Sequence, residues 1–193
     1  MAPHGARLSL LDSGCGTGYY LAGLLDRREG WQALALDVSV DAVAVATRAA
    51  DSPGLVADVW QPLAVRDGRA DVVLCVFAPR NVPEFARVLS ADGRLIVVTP
   101  ARNHLEQLRD AGRVIGMQAD KLAHLDASLA ASFRLERRES LEYEVSLDEA
   151  EVDSLASMGP SGHHAAAGGP ADSPRSDRTV VTVAVDVSSY SLA

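Results

Sequence analysis

Short apolar runs that alternate with helical patterns dominate the first half of this 193-residue chain. Helical spacing is clearest after the first run, where Leu21, Leu24 and Leu25 recur at i, i+3 and i+4. Three apolar runs end at an aspartate: 7–11 before Asp12, 33–36 before Asp37 and 55–57 before Asp58. Strands that alternate with helices form right-handed βαβ units in a parallel sheet. We therefore predict an α/β fold with a doubly wound, mostly parallel, Rossmann-like sheet of about seven strands.

The patterns after residue 70 extend this architecture. A continuous apolar strand is predicted at 72–76 and a helix at 82–89. Asp92 and Gly93 have the composition of a turn, which would lead into a fifth strand at 94–99. These elements continue the alternation of strand and helix that a parallel sheet requires.

The second half of the chain is less regular. Ser146 and Glu149 have the spacing of a capping box, which predicts that a helix begins there. Residues 159–177 are rich in Gly, Ala, Pro and Ser, and we expect a flexible surface loop within one domain that spans 1–193. The remaining predictions are a helix at 104–111, a helical or irregular segment at 120–132, a half-exposed antiparallel edge strand at 133–145, a helix at 147–158 and a last strand at 179–187.

Composition narrows the class of protein. The net charge of −8 argues against a nonspecific nucleic-acid binder, which normally presents a basic face. The apolar runs are far shorter than the ~20 residues of a membrane span, so we expect no membrane insertion. Two cysteines cannot build a disulfide framework or a four-ligand zinc site, so no metal is predicted. These features predict a cytoplasmic protein.

A glycine-rich loop, Gly14–Gly18, follows the first predicted strand and opens the first predicted helix. Glycines at this point permit a tight turn and a close approach of the backbone to a ligand. The Gly-x-Gly-x-x-Gly pattern of nicotinamide cofactors fails, because Tyr19 and Leu21 occupy the required third-glycine positions. A phosphate-binding Walker loop fails as well, because no lysine is near. The pattern that remains is acid-x-Gly-x-Gly-x-Gly, with Asp12 as the acid.

This pattern resembles motif I of the class I S-adenosylmethionine (SAM) methyltransferases. Asp37 ends the second predicted strand, where a carboxylate can accept both ribose hydroxyls of a nucleoside. Asp58 ends the third, and in the family the equivalent acid commonly meets the adenine amino group. The resemblance implies SAM as cofactor, bound by these residues: Asp12, Gly14, Gly16, Gly18, Asp37 and Asp58.

Further segments are similar to one branch, the 23S rRNA guanine-N1 methyltransferases. They are Asp12–Tyr20, Asp37-Val38-Ser39, Phe77-Ala78-Pro79, Glu84–Leu89, Val98-Thr99-Pro100 with His104-Leu105-Glu106, and Met158–Ser161. The resemblance implies a substrate pocket near Ala78, Pro79, Thr99, Pro100 and His104. Family members carry an N-terminal cysteine-rich zinc module, whereas this chain starts almost at its first strand. We therefore expect either a fragment of a longer protein or a reduced relative.

Three functions remain open at this point. The first is methylation of 23S rRNA, which the family segments favour. The second is methylation of a small molecule, which the acidic charge favours, and the third is a SAM-binding domain without RNA activity. His104 is a candidate catalytic base only by its location, and the sequence does not fix the oligomeric state.

Overall fold

The structure is a computed structural model that describes residues 8–114, 121–158 and 178–193. The predicted loop at 159–177, with His163 and His164, lies outside the described residues, as does Gly159-Pro160-Ser161. The elements are, in chain order, β1 (Ser9–Ser13), α1 (Tyr19–Leu25), β2 (Gln32–Asp37), α2 (Val40–Ala50), β3 (Gly54–Val56), β4 (Ala70–Val76), α3 (Val82–Val88), β5 (Leu89–Pro100), α4 (Glu106–Asp110), α5 (Lys121–Leu129), β6 (Phe133–Leu147), α6 (Glu149–Met158) and β7 (Thr179–Leu192).

The seven strands form one sheet in the order β3-β2-β1-β4-β5-β7-β6. Strands β1 to β5 pair in parallel, and β1 lies between β2 and β4. Cross-strand hydrogen bonds join Arg138 to Ser188 and Ser140 to Asp186, so β6 runs antiparallel to β7 and forms the edge. The predicted mostly parallel, doubly wound α/β sheet is confirmed, including its antiparallel edge.

The described residues group into two compact units. The first consists of those within Met1–Thr99, Leu122–Glu139 and Val187–Ala193, and the second of those within Pro100–Lys121 and Ser140–Asp186. A single domain over 1–193 remains a prediction. No helix in the described parts of the chain is long and apolar enough to cross a membrane.

Alternating side chains of the parallel strands bury both faces of the sheet in the first unit. On one face, Leu11 of β1 packs in a cluster with Phe85 of α3 and Leu125 of α5. On the other face, Leu10 packs in a cluster with Leu21 of α1. Helices therefore cover both faces of these strands, which leaves the carboxyl ends of the strands as the place for a ligand. The second unit has a smaller cluster around Leu108, Val152 and Val181.

Two local predictions were wrong. Asp92 and Gly93 do not form a turn between elements but lie inside β5. Ala70 pairs with Leu89 and Val72 with Arg94, so two steps along β4 correspond to five along β5. The extra residues are accommodated as an irregularity in the pairing, which lets the strand continue through a composition typical of turns.

The capping box of α6 is also displaced from its predicted place. Ser146 belongs to β6, because the strand continues to Leu147. The reciprocal bonds are made by Asp148 and Glu151: the Glu151 N–H donates to Asp148 Oδ1 at 2.9 Å and the Asp148 N–H donates to Glu151 Oε2 at 2.8 Å. An aspartate caps as well as a serine, so two overlapping candidates existed in the sequence.

Candidate functional site: the carboxyl edge of strands β1 to β4

The glycine loop is held by backbone hydrogen bonds to β2. The N–H groups of Gly14 and Cys15 both donate to the Leu36 carbonyl, at 2.8 and 2.9 Å. Gly14, Gly16 and Gly18 all have positive φ, at 78°, 52° and 80°. L-residues with side chains rarely adopt this conformation, so the loop requires glycine at all three positions.

The surroundings of the three glycines differ. A Cβ on Gly14 would lie 2.3 Å from the Cβ of Ala78, and one on Gly18 would lie 2.7 Å from the Cα of Ala46 in α2. A Cβ on Gly16 would have nothing within 4 Å. Gly14 and Gly18 therefore allow the loop to pack against protein, whereas Gly16 borders open space.

Asp37 holds the end of β2 against the glycine loop. Its Oδ2 accepts the Gly16 N–H and its Oδ1 accepts the Ser39 N–H, both at 3.0 Å. Ser39 in turn caps α2, because its side chain accepts the Ala42 N–H. A carboxylate has about four acceptor positions, so Asp37 retains capacity for a ligand with hydroxyl donors.

Asp12 lies beneath the loop, with a side chain only 2% exposed. Burial raises the pKa of this carboxyl to about 7, and the nearby negative charge of Asp37 adds to the effect. Burial, together with the negative charges of Asp12 and Asp37, raises the pKa of the Cys15 thiol to about 12, and burial raises that of Cys75 to about 11. Neither cysteine is activated as a thiolate nucleophile, which agrees with the structural role expected of buried cysteines.

The loop from 57 to 69, which we call the β3–β4 loop, forms the opposite wall. Asp58 Oδ1 accepts the Trp60 N–H at 3.0 Å, and the Trp60 side chain is 62% exposed. The Asn81 side-chain amide donates to the Val59 carbonyl at 2.8 Å. Asn81 also caps α3 through its Oδ1, so the same side chain fixes both the loop and the helix.

Two charged side chains of α3 complete the anchor of this loop. Arg87 donates to the Val65 carbonyl at 2.8 Å and to the Leu63 carbonyl at 3.0 Å, and it pairs with Glu84 at 2.6 Å. Glu84 Oε2 accepts the Leu63 N–H at 2.6 Å. Hydrogen bonds from Arg87 lower the pKa of Glu84 to about 2. The residue pattern did not identify Asn81, Glu84 and Arg87 as anchors of this loop. Its one relevant signal was the Asn-x-x-Glu spacing, which indicates a helix cap and not a contact with a loop.

Residues 77–80 follow β4 and form the third side of the site. Phe77 has φ +53° and its N–H donates to the Val98 carbonyl at 3.1 Å. The Cys75 thiol donates to the carbonyls of Ala78 and Pro79, at 3.4 and 3.6 Å. This segment is therefore fixed from β4 and from β5.

These walls enclose a cavity of about 480 Å³, a volume in the usual range for small-molecule sites. Of the residues singled out from the sequence, six line it: Gly14, Gly16, Asp37, Asp58, Ala78 and Pro79. Its other lining residues are Leu36, Val38, Ala57, Val59, Trp60, Val76 and Phe77. Asp12, Gly18 and Thr99 do not line it. The lining is apolar with two carboxylates, which suits an uncharged planar group that carries hydroxyl or amino donors.

The remaining predicted residues lie further along the chain. Thr99 is buried in the first unit, and its hydroxyl has no hydrogen-bond partner within the described residues, a property it shares with Ser13. Pro100 and His104 belong to the second unit. His104 Nδ1 accepts the Ala184 N–H at 3.2 Å, which places the proton of the neutral ring on Nε2. In this tautomer Nε2 donates, so the imidazole is not arranged as a proton acceptor there.

Comparison with known proteins gives the class first. The family model of a methyltransferase domain matches residues 11–97, which include most of β1, all of β2 to β4 and the whole cavity lining. The chain superposes on the [4+2]-cyclase SpnF with a TM-score of 0.60 at 18% identity, over 96% of this chain and 75% of that one. It also superposes on the N-methyltransferase NodS from Bradyrhizobium japonicum in complex with S-adenosyl-L-homocysteine (SAH), with a TM-score of 0.53 at 12% identity, over 97% and 79% of the two chains. Together they define a class I methyltransferase fold, which alone does not determine the reaction.

Sequence identity shows which methyltransferases the chain resembles. The chain is 41% identical over 161 residues, 83% of its length, to a 23S rRNA (guanine(748)-N(1))-methyltransferase from Streptomyces fradiae. It therefore carries a methyltransferase domain that resembles the 23S rRNA guanine-N1 methyltransferases. It spans 58% of the length of that relative.

Proposed function

We propose that this chain binds SAM in the cavity described above and methylates N1 of a guanine in 23S rRNA. The observation that carries the proposal is the pairing of Gly16, open to the cavity, with Asp37, whose carboxylate fixes the Gly16 N–H. This arrangement lets a ligand approach the backbone while a carboxylate stands beside it. The 41% identity to a guanine-N1 methyltransferase supports the acceptor.

The residues of the cavity fit the parts of this cofactor. Asp37 would accept the ribose hydroxyls with the lone pairs that Gly16 and Ser39 leave unused. Asp58 would accept the adenine amino group, and Ala57 and Trp60 supply apolar surface beside it. Gly14 and Gly18 would serve indirectly, by allowing the loop to pack tightly. Asp12 would act from beneath the loop, since it is buried and does not line the cavity.

When bound, SAM supplies a methyl group made electrophilic by its sulfonium sulfur. The task of this chain is then to hold the acceptor nitrogen in line with that group and to exclude water, since positioning accounts for most of such a rate enhancement. Ala78 and Pro79 border the cavity at the end of β4 and would face the acceptor. Thr99, Pro100 and His104 remain predictions for the acceptor pocket. The N1 proton must leave as well, and the hydrogen bond that His104 Nδ1 accepts from Ala184 argues against this histidine as its acceptor.

The test is methyl transfer from methyl-labelled SAM to 23S rRNA extracted free of protein. A methyl group on guanine N1 blocks Watson–Crick pairing, so reverse transcription should stop at the modified base. The Asp37→Ala variant should bind SAH more weakly by about 1–3 kcal/mol, because a charged acceptor is lost from the site. Unchanged SAH affinity in that variant would refute the ribose assignment, and unlabelled rRNA with intact SAH binding would refute the acceptor. An rRNA acceptor places the reaction in the cytoplasm.

A small-molecule acceptor is the second candidate, and the net charge of −8 favours it. Repulsion between an acidic protein and RNA phosphates weakens binding, most strongly at low salt. Two arginines of the β6 edge are already paired with neighbouring acids, Arg134 with Glu136 and Arg137 with Glu139. A screen of metabolite mixtures with labelled SAM distinguishes the two, because label in a small product with none in RNA would decide for this candidate.

A further inference from the structure

Phe77 stands out among the three phenylalanines of the chain. Phe85 and Phe133 are buried in the core, at 0% and 4% exposure, whereas Phe77 is 47% exposed and lines the cavity. A large aromatic ring half in solvent loses about half of the free energy that full burial would give it. Its placement at the cavity therefore needs a reason other than packing.

The backbone of Phe77 is also strained. Three residues other than glycine have positive φ in the described parts of the chain: Asp51, Phe77 and Leu105. Asp51 ends α2, where this conformation is common, and Leu105 precedes α4. Phe77 directly follows a buried strand, and for a bulky side chain the left-handed region is a true outlier. Such strain persists only where the surroundings enforce it, and it concentrates at functional sites.

The neighbouring contacts show what enforces the conformation. Val98 of β5 accepts the Phe77 N–H, and the Ala78 Cβ fills the space that a side chain on Gly14 would occupy. Cys75 and Arg80 both donate to the Ala78 carbonyl, at 3.4 and 3.3 Å. The segment thus has its backbone fixed on both sides of the ring, which keeps the ring at the cavity.

Sheet order indicates which ligand the ring would meet. Of the two cavity carboxylates, Asp37 ends β2 and Asp58 follows β3, on one side of β1. Phe77 follows β4, on the other side of β1. A nucleoside held by the two acids leaves the β4 side for the group that receives the methyl. An uncharged aromatic ring there suits a planar base taken out of its stack.

We propose that Phe77 is the surface on which the acceptor base of the RNA stacks, and that its strained backbone serves to hold the ring in that place. This inference rests on the proposed function, because it requires a nucleobase acceptor. Phe77 would act as a positioning and specificity residue, since it supplies neither a proton acceptor nor a ligand for the cofactor.

The experiment compares Phe77→Ala, Phe77→Tyr and Phe77→Gly in steady-state methylation of 23S rRNA, with SAH affinity by calorimetry and Tm for each. Loss of one base–aromatic stack should lower kcat/KM for RNA about 10- to 100-fold in the Ala and Gly variants. Phe77→Tyr should stay within about threefold of wild type, because the ring is kept. SAH affinity should be unchanged throughout. Phe77→Gly should melt at or above the wild-type Tm, since glycine adopts positive φ without strain.

Asp51→Gly is the matched control, because it also relieves a positive φ but lies outside the cavity lining. It should keep wild-type kcat/KM. Wild-type kinetics in Phe77→Gly, an equal loss in Phe77→Tyr and Phe77→Ala, or a parallel loss of SAH affinity would each overturn the stacking role. If the wild-type chain binds SAH but leaves rRNA unmethylated, the proposal of an rRNA acceptor is refuted, and the stacking role, which rests on it, is refuted as well. If the wild-type chain methylates rRNA and Phe77→Gly does so with the same kcat/KM, only the stacking role is refuted.

Discussion

The two walls of the cavity are built by different means. The glycine loop is fixed by main-chain bonds to the end of β2 and by one carboxylate, Asp37. The β3–β4 loop is fixed by side chains of a neighbouring helix, Asn81, Glu84 and Arg87. The first wall depends on backbone conformations that only certain residues adopt, and the second depends on which side chains a helix presents.

Acidic side chains at the two walls show the same contrast. Asp12 beneath the glycine loop has its pKa raised to about 7 by burial, whereas Glu84 behind the β3–β4 loop has its pKa lowered to about 2 by Arg87. Ionisation of Asp12 at the first wall therefore destabilises the folded protein, whereas ionisation of Glu84 at the second wall stabilises it. The glycine loop is therefore built beside an acid that favours its protonated form, whereas the β3–β4 loop is held by an acid that is ion-paired with Arg87.

The largest effect on the fold should come from Gly14→Val. Its Cβ would lie 2.3 Å from Ala78 and the residue would keep a positive φ, so overpacking and backbone strain add. We expect a loss of about 4 kcal/mol in the free energy of unfolding. Urea titration followed by circular dichroism measures it. A variant as stable as the parent would mean that the glycine loop does not pack on residues 77–80.

Asp12→Asn should change the pH dependence of stability. Because the folded pKa is raised from 3.8 to about 7, the folded state holds the proton more tightly than the unfolded state. Stability is therefore greatest below about pH 4 and falls as the pH rises to about 7, by roughly 4 kcal/mol. Asp12→Asn should remove this fall and be the more stable protein at pH 8. Parallel stability curves for the two proteins from pH 4 to 8 would contradict the prediction.

Gly16→Val should affect binding more than folding. No protein atom lies within 4 Å of its Cβ, so the cost in stability comes only from the positive φ, about 1–3 kcal/mol. Two methyl groups would occupy the space proposed for SAM, and SAH affinity should fall by at least about 100-fold, which corresponds to about 2.7 kcal/mol. SAH that still raises the Tm as much as in wild type would show that the loop does not hold the cofactor.

Arg87→Met tests the second wall and should have the smallest effect of the four. The loss of its bonds to the Leu63 and Val65 carbonyls should cost about 2 kcal/mol of stability and loosen the loop that carries Trp60. SAH affinity should drop by about tenfold, which a titration followed by tryptophan fluorescence would measure. The stability that Glu84 contributes is present above about pH 4.5 and is lost as the pH falls towards 2; this acid limb should flatten in the variant.

Arg48→Met provides the comparison for this experiment, because Arg48 is exposed in the last turn of α2. It should leave SAH affinity unchanged and lower stability by no more than about 0.5 kcal/mol. Equal losses in the two variants would mean that Arg87 acts by its charge alone rather than as an anchor of the loop.

The sequence alone determined the sheet, the glycine loop and six residues of the cavity lining. Apolar alternation and strand-end aspartates carry this information, because the carboxyl ends of neighbouring parallel strands meet at one edge. Glycines that adopt a positive φ can also be recognised from the sequence, since few other residues adopt that backbone conformation. The tertiary structure decided that Gly16 is the one loop glycine of the three whose added Cβ would meet no protein atom within 4 Å, that Asp12 is buried, that α3 anchors the β3–β4 loop and that Phe77 is strained and exposed. These depend on which atoms come within a few ångströms across the fold, and no local pattern of residue types encodes that distance.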